Sequence, residues 1–478
     1  MYSESSKEAI KVGIAVSLAI ITALWLGWDK PYWAAITVFI VAANESYSHA
    51  VKKGQNRILG TILGTGYATF LLIMFAQDHA LFVFFLTMFL ALCVFMSSHN
   101  RLGYAFTIGF VVCTIISCIG GFDSVTTFNI AVLRFQETLL GVIVYTLVFR
   151  FIWPRKTEDL FFSLIRETLS QLHQCAGFEL DPHRHGKADS ARRGYHHNLN
   201  TRSQWKENQN EQHRRLAKLN DILSLPLNGS HRLHEERATW RLIVRAITQI
   251  DFLLDVHHNN PEQSGVQAHI AEGHALLSLS LMSPKSTHAK LSAWLMRTET
   301  DCPRPDVPSS AFALPLKQRI LRVVKAVSIQ LTCFALWVLL PMPGGYIMPM
   351  VASIFANVLV TLPDNAIKHA SFGVLAWGAI FLGEYVLIMP ELTQAWQLSV
   401  FYFVNSILVW KVGNIPDLAI QKVLGGNLLV VFTMGALQLT PSYEIVTPLV
   451  MITCVLVTLG VSSFYIRLFK VRTEPVFS

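Results

Sequence analysis

The chain has 478 residues, of which 52% are hydrophobic and 15% charged, against about 25% charged in a soluble globular protein. That composition excludes an ordinary water-soluble domain and points to lipid. The net charge of +8 gathers at one end of the apolar runs, where membrane orientation accounts for it, so no nucleic-acid partner is expected.

The first apolar run, Gly13–Trp28, follows a mixed-charge stretch with Glu4, Lys7, Glu8 and Lys11. Asp29-Lys30-Pro31-Tyr32-Trp33 comes next in place of a small-residue cleavage site, so a retained span is expected rather than a signal peptide. Further runs lie near 32–43, 58–76, 80–97, 103–120 and 128–153. A second set lies near 321–341, 345–362, 369–389, 394–411, 417–438 and 443–466. Most are long enough to cross a hydrocarbon core of about 30 Å at about 1.5 Å per residue.

The second run is the exception. Trp33–Ala43 reaches only about 16 Å before Asn44-Glu45-Ser46. Its counterpart, Tyr346–Leu362, is interrupted by Pro349 and carries Asn357. Short or broken apolar segments at matching places in two repeats point to a solute path, because frayed helix ends offer backbone groups there. The plainer alternative is a helix continuing past Asn44 and a tolerated kink at Pro349.

In the third run, Gly60-x-x-x-Gly64, with Gly66 beyond, predicts close approach of another helix. Arg57 just before it marks the cytoplasmic interface. The sixth run carries Arg134, Gln136 and Glu137. Arg134 and Glu137 share a helix face and could pair. Counting from Arg150, Arg134 lies about 24 Å and Glu137 about 20 Å up the helix. Arg134 could snorkel to the outer surface. A carboxyl at that depth more often faces a bundle interior or a solute or proton path.

The middle of the chain is polar. Helices are expected over Glu158–Cys175, Arg232–His257 and Leu291–Cys302, with Leu242, Ile243, Ala246, Ile247, Ile250, Leu253 and Leu254 striping the second. Between the first two, 181–212 is rich in His, Arg, Asn and Gln and reads as a polar loop. Pro303, Pro305 and Pro308 suggest a linker into the second apolar set. In that set Glu384 is a further candidate for titration.

Loop charges predict the orientation. Lys52, Lys53, Arg57, Arg101, Arg155, Lys156, Lys368, Lys411, Arg467, Lys470 and Arg472 fall on one side, and Lys30 with Asp29, Asp78, Asp123 and Glu391 on the other. Both termini and the middle segment are therefore expected in the cytoplasm. Lys11 and Tyr32 match Lys325 and Tyr346 at one common offset, and an even number of spans per half makes the halves parallel. The expected fold is an all-α polytopic membrane protein. Residues 1–154 form the first six-span half, 155–315 a helical cytoplasmic insert with the polar loop 181–212, and 316–478 the second six-span half.

Seven scattered cysteines and dispersed histidines offer no metal-ligand spacing. No nucleophile elbow, phosphate loop or catalytic carboxylate pair is present. Neither an enzyme nor a cofactor or metal is expected.

The stretch Lys52-Lys53-Gly54-Gln55-Asn56-Arg57-Ile58-Leu59-Gly60-Thr61-Ile62-Leu63-Gly64 resembles the fusaric acid resistance/aromatic acid exporter family, which shows an R-x-x-G-T-x-x-G pattern after a short second span. Arg134-Phe135-Gln136-Glu137-Thr138-Leu139-Leu140-Gly141 is similar to that family's second basic pattern. The matched positions are Arg57, Gly60, Thr61, Gly64, Arg134, Thr138 and Gly141; in the second half Lys368-His369-Ala370-Ser371-Phe372-Gly373 departs from them. The resemblance implies a bacterial inner-membrane efflux transporter of aromatic or other hydrophobic carboxylic acids. It also implies coupling to the proton gradient and work with a periplasmic adaptor protein.

On that expectation Arg134, Glu137, Tyr32, Trp33, Asn44, Tyr346, Asn357 and Trp377 are the candidate solute-binding residues. Glu137 and Glu384 are the candidate proton carriers. The partners are the lipid bilayer, a small organic acid, the adaptor and a second copy in a homo-oligomer. Two rival classes stay open: a passive organic-anion channel, and a membrane-anchored scaffold acting through the insert.

Overall fold

The computed structural model describes residues 4–43, 47–121, 123–153, 157–176, 202–224, 231–259, 265–282, 284–303, 311–340, 344–362, 365–415, 418–438 and 440–469. Among them the regular structure is helical throughout, with no strand. The chain divides into two compact units, one of Met1–Glu45, Ala50–Pro154 and Ser310–Ser478, the other of Ser46–His49 and Arg155–Ser309.

The first unit begins with α1 (Glu4–Trp25), α2 (Tyr32–Ala42), α3 (Tyr47–Phe75), α4 (His79–Met96), α5 (Gly103–Gly120) and α6 (Ser124–Phe151). The second unit follows with α7 (Thr157–Ala176), α8 (Arg202–Ser224), α9 (His231–Glu235), α10 (Arg237–Asn259), α11 (Val266–Met282) and α12 (Pro284–Asp301). The chain returns to the first unit with α13 (Leu316–Leu339), α14 (Ile347–Leu359), α15 (Asn365–Leu387), α16 (Ala395–Val412), α17 (Ile420–Phe432) and α18 (Val446–Leu468).

Eight of these, α1, α3, α4, α5, α6, α13, α15 and α18, are long and apolar enough to cross a membrane. The protein is a multi-pass membrane protein. The shorter α2, α14 and α17 are apolar as well. Local chemistry sets several helix ends. The Asp78 carboxylate accepts from the Ala80 and Leu81 amides and starts α4, and Asp123 accepts from the Thr126 amide and starts α6. Gly27 and Gly121, with φ of 70° and 58°, turn the chain after α1 and α5 where a side chain would strain.

The core of this unit is built around α2. It is enclosed by other helices: Tyr32, Ala34, Ala35, Ile36, Thr37, Val38, Phe39, Val41 and Ala42 are all buried. Bare glycines make room for it. A Cβ on Gly141 of α6 would lie 2.6 Å from the Ala34 carbonyl oxygen, and one on Gly426 of α17 would lie 2.4 Å from the Phe39 ring. Helices from the two ends of the chain pack together: α1 on α16, α2 on α17, α4 on α13 and α5 on α14. Polar pins accompany the packing. Ser17 Oγ donates to the Ser399 carbonyl at 2.9 Å, and the Asn357 amide donates to the Thr107 carbonyl at 2.8 Å.

The Gly60/Gly64 pair faces α5. A Cβ on Gly64 would stand 2.2 Å from the Gly109 carbonyl oxygen, whereas one on Gly66 would meet nothing within 4 Å. Gly64→Ala should therefore cost about 1–3 kcal/mol through overpacking. Gly66→Ala should be neutral or stabilising by up to about 1 kcal/mol, because alanine is the better helix former. Melting midpoints of the two variants in detergent check this; equal shifts would show that α3 and α5 are not in close contact.

Several expectations from sequence need correction. Pro349 does not interrupt its span: it lies in the first turn of α14, where its missing N–H would have had no helical partner anyway. The polar stretch 181–212 is helical from Arg202 onward, since α8 runs Arg202–Ser224; residues 181–201 lie outside the described set. The reason is that its Gln, Glu, Lys and Arg are good helix formers, and Leu216, Leu219, Ile222 and Leu223 downstream bury one face. The second helix expected in the insert is split at Glu236 into α9 and α10.

Residues 311–313, expected at the end of the insert, belong to the first unit. The Asn100 amide donates to the Ala311 carbonyl at 3.0 Å and the Ala313 amide to the Ser98 carbonyl at 2.8 Å. Just beyond, the Arg319 guanidinium is sandwiched between the rings of Phe95 and Phe312, at 3.7 and 3.4 Å.

The second unit has its own core. The stripe of α10 (Ile243, Ala246, Ile247, Ile250, Leu253 and Leu254) is buried with Phe161, Trp240 and Trp294.

Candidate solute-binding site

The sixth helix aligns four motif residues on one face. Arg134, Glu137, Thr138 and Gly141 fall at spacings of three, four and seven, which a helix aligns into one stripe. Arg57, Gly60, Thr61 and Gly64 on α3 repeat that spacing. The difference is that Glu137 on α6 stands where α3 has the bare backbone of Gly60.

The α6 stripe turns toward α2, and the α3 stripe toward α2 and α5. Gly141 brings α6 against the Ala34–Thr37 turn of α2, so Trp33 meets Arg134. The Arg134 guanidinium carbon lies 3.6 Å from the centroid of the Trp33 ring, a stacked cation–π contact worth about 2 kcal/mol when dry. Arg134 is 3% exposed and Glu137 0%, which rules out the snorkelling anchor. Among the described residues their charged atoms make no ion pair. Arg134 Nε and both Glu137 carboxylate oxygens are buried without a hydrogen-bond partner. A buried charge without hydrogen bonds is expensive, so this cluster has bonding capacity to offer a ligand.

One turn along α2, Arg57 does for α3 what Arg134 does for α6. Its Nε donates to Thr37 Oγ1 at 3.2 Å and its Nη1 to the Tyr104 hydroxyl at 3.3 Å. The glycines explain the reach, since Gly60 and Gly64 draw in α5, which carries Tyr104. Arg57 is 4% exposed, packed inside the protein. Thr61 Oγ1 donates back to the Arg57 carbonyl at 2.9 Å. Lys30, in the turn before α2, completes the group. Burial holds its amine below the ordinary lysine range, with the Glu137 carboxylate opposing and Arg134 reinforcing that shift.

The candidate residues from sequence do not all come together. Tyr32, Trp33, Arg134 and Glu137 come together, and Tyr346, exposed at the start of α14, lies within electrostatic reach of Tyr32. Asn357 is fully buried, its amide on the Thr107 carbonyl of α5 and its own carbonyl unpaired. Trp377 packs elsewhere: its ring stacks on Phe381, and its indole N–H donates to Gln421 at 3.1 Å. Glu384 sits next to Asn405 on the α15–α16 side with one carboxylate oxygen unpaired. Asn44 lies outside the described residues. Sequence reasoning missed Thr37 and Tyr104. Thr37 could have been found, as it shares the face of Trp33 one turn on; Tyr104 had no local signal.

The model of the fusaric acid resistance protein family matches residues 8–300, more than half of the chain and both basic stripes. The chain belongs to the fusaric acid resistance protein family. Among its relatives are proteins named p-hydroxybenzoic acid efflux pump subunit AaeB. The one from Edwardsiella ictaluri (strain 93-146) is 26% identical over 162 residues, 31% of this chain and 25% of that protein. The one from Musicola paradisiaca (strain Ech703) is 26% identical over 161 residues, 32% and 25% respectively. That of Yersinia pestis (strain Pestoides F) is 24% identical over 196 residues, 38% and 30%. The matched stretch thus spans a quarter to under a third of the length of these relatives.

Proposed function

We propose that this protein exports aromatic carboxylic acids across a bacterial inner membrane, driven by the proton gradient. The observation that carries it is the buried Arg134 guanidinium, stacked on Trp33 with an unpaired Nε, beside a Glu137 carboxyl with no hydrogen bond. An aromatic acid needs a cation for its carboxylate and an apolar ring surface for its own ring. Both lie at one spot on α2. Glu137, three residues from Arg134, is positioned to exchange a proton as the acid binds and leaves. Family membership and the efflux-pump relatives support the same direction. Glu384 is the second proton candidate.

The wider architecture follows the same reading. The two six-helix ends of the chain act as parallel repeats, supported by the reciprocal packing of α2 on α17 and α14 on α5. Both termini and the insert lie in the cytoplasm, supported by the basic loops. A periplasmic adaptor is the expected partner, because the relatives are named as pump subunits.

Proteoliposomes test the proposal. With p-hydroxybenzoate as solute, an imposed proton gradient should drive accumulation against the solute gradient, and a protonophore should collapse it. A flux that ignores the proton gradient would identify an anion channel instead. Glu384→Gln should leave accumulation within about threefold of wild type if Glu137 carries the proton; complete loss would move the proton to α15.

A further inference from the structure

Arg57 is a second buried cation of the first unit, and the export reaction as described leaves it without a role. It touches Thr37 and Tyr104. The Thr37 hydroxyl spends its proton on the Trp33 carbonyl at 3.0 Å, so toward Arg57 it can only accept. Tyr104 differs. Its hydroxyl accepts from Arg57, while its own O–H donates to no acceptor among the described residues. The ammonium of Lys53 lies 5.1 Å from the Tyr104 ring centroid and adds positive charge there. Arg57 is also within electrostatic reach of Arg134.

Spacing links the two groups. Trp33 and Thr37 are four residues apart on α2, a rise of about 6 Å, roughly the length of a benzene ring with its two para substituents. Glu137 is within electrostatic reach of Arg134, so the two buried guanidiniums against α2 outnumber the one buried carboxylate beside them. A solute that satisfies both ends would relieve more of that imbalance than one that satisfies Arg134 alone.

We propose that Arg57 and Tyr104 form a second polar subsite, one turn toward the C-terminus of α2. It takes the para substituent, a hydroxyl or a second carboxylate, of an aromatic acid whose ring and carboxylate rest on Trp33 and Arg134. The subsite depends on the reading that this protein binds aromatic acids at Arg134, and it adds selectivity among them. An unsubstituted acid leaves the Tyr104 O–H and the free guanidinium edge of Arg57 unpaired. Sites built to hydrogen-bond a substrate group discriminate against analogues lacking it for that reason.

The experiment is calorimetric titration of the purified full chain in detergent with benzoate, p-hydroxybenzoate and benzene-1,4-dicarboxylate. Wild type should bind the para-substituted acids roughly tenfold more tightly than benzoate, a modest value for one recovered hydrogen bond. In Tyr104→Phe the ratio for p-hydroxybenzoate should fall to about twofold or less, the loss falling on the substituted acid. Arg57→Lys keeps the charge but loses the planar fork, and should reduce the preference for the dicarboxylate. It also carries the test if the Phe variant fails to give a wild-type melting curve. An unchanged ratio in both variants, or equal weakening of all three acids, overturns the subsite. Wild type that binds all three alike overturns the subsite while leaving the export reading intact. Wild type that binds none of them overturns both.

Discussion

Arg134→Ala is expected to abolish measurable export, with an apparent affinity for p-hydroxybenzoate lowered by roughly 100-fold or more. Two losses combine. The guanidinium lies 3.6 Å from the centroid of the Trp33 ring, and a charge-assisted hydrogen bond to a carboxylate contributes about 1.5–3 kcal/mol. Removing the stacked plane also frees the indole to move, which adds the ordering cost of the ring to every binding event. Together these approach 3–4 kcal/mol, or two to three powers of ten. Arg134→Lys separates the terms, because it retains the charge but not the fork or the stacking. An intermediate loss of roughly tenfold is expected for it. The measurement is initial uptake rate against substrate concentration in proteoliposomes, with melting curves to show that each variant is folded. If Arg134→Ala kept wild-type affinity, the solute would not bind at this end of α2.

Glu137→Gln should give the second large effect, of a different kind. Uphill accumulation should fall by roughly 100-fold, while downhill exchange of labelled for unlabelled acid should stay within about threefold of wild type. The argument rests on geometry. Both carboxylate oxygens are buried and unpartnered, so the group has no structural bond to lose, and glutamine fills the same volume. What glutamine cannot do is take up and release a proton. Loss of uphill and downhill transport together would make Glu137 a binding or structural residue. Retention of both would clear it of any role in coupling.

How much of this was visible in the sequence varies by residue. The helices of the first unit were legible because lipid demands continuous apolar runs, and each expected run coincides with a helix. Arg134 and Glu137 were legible for the opposite reason: a charge inside an apolar run stands out. The role of Pro349 was not, because a proline at a helix start and one in a helix middle look alike until the first turn is located. The helix from Arg202 was hidden by its polar composition, which masks helix-forming residues behind the appearance of a loop. Thr37 and Tyr104 were hidden more deeply. Threonine and tyrosine are ordinary in membrane helices, and only the approach of α5 to α3, through Gly60 and Gly64, brings the tyrosine to Arg57. The glycine motif was correctly read as packing; its consequence for the arginine next to it depends on three-dimensional contact.

The lacing of the two ends of the chain has a mechanical consequence. Phe39 of α2 sits over Gly426 of α17, and Asn357 of α14 is pinned to the backbone of α5. A seesaw motion in which one end of the chain swings as a block against the other would pull the phenyl ring out of its hollow. It would also break the amide pin within a dry interior. If the protein exports a solute as proposed, opening to alternate sides of the membrane would use parts that are not stitched across. Such parts include the exposed Tyr346 turn and the Lys30 turn at the start of α2. The moving pieces of this protein should be small, and its frame should stay still.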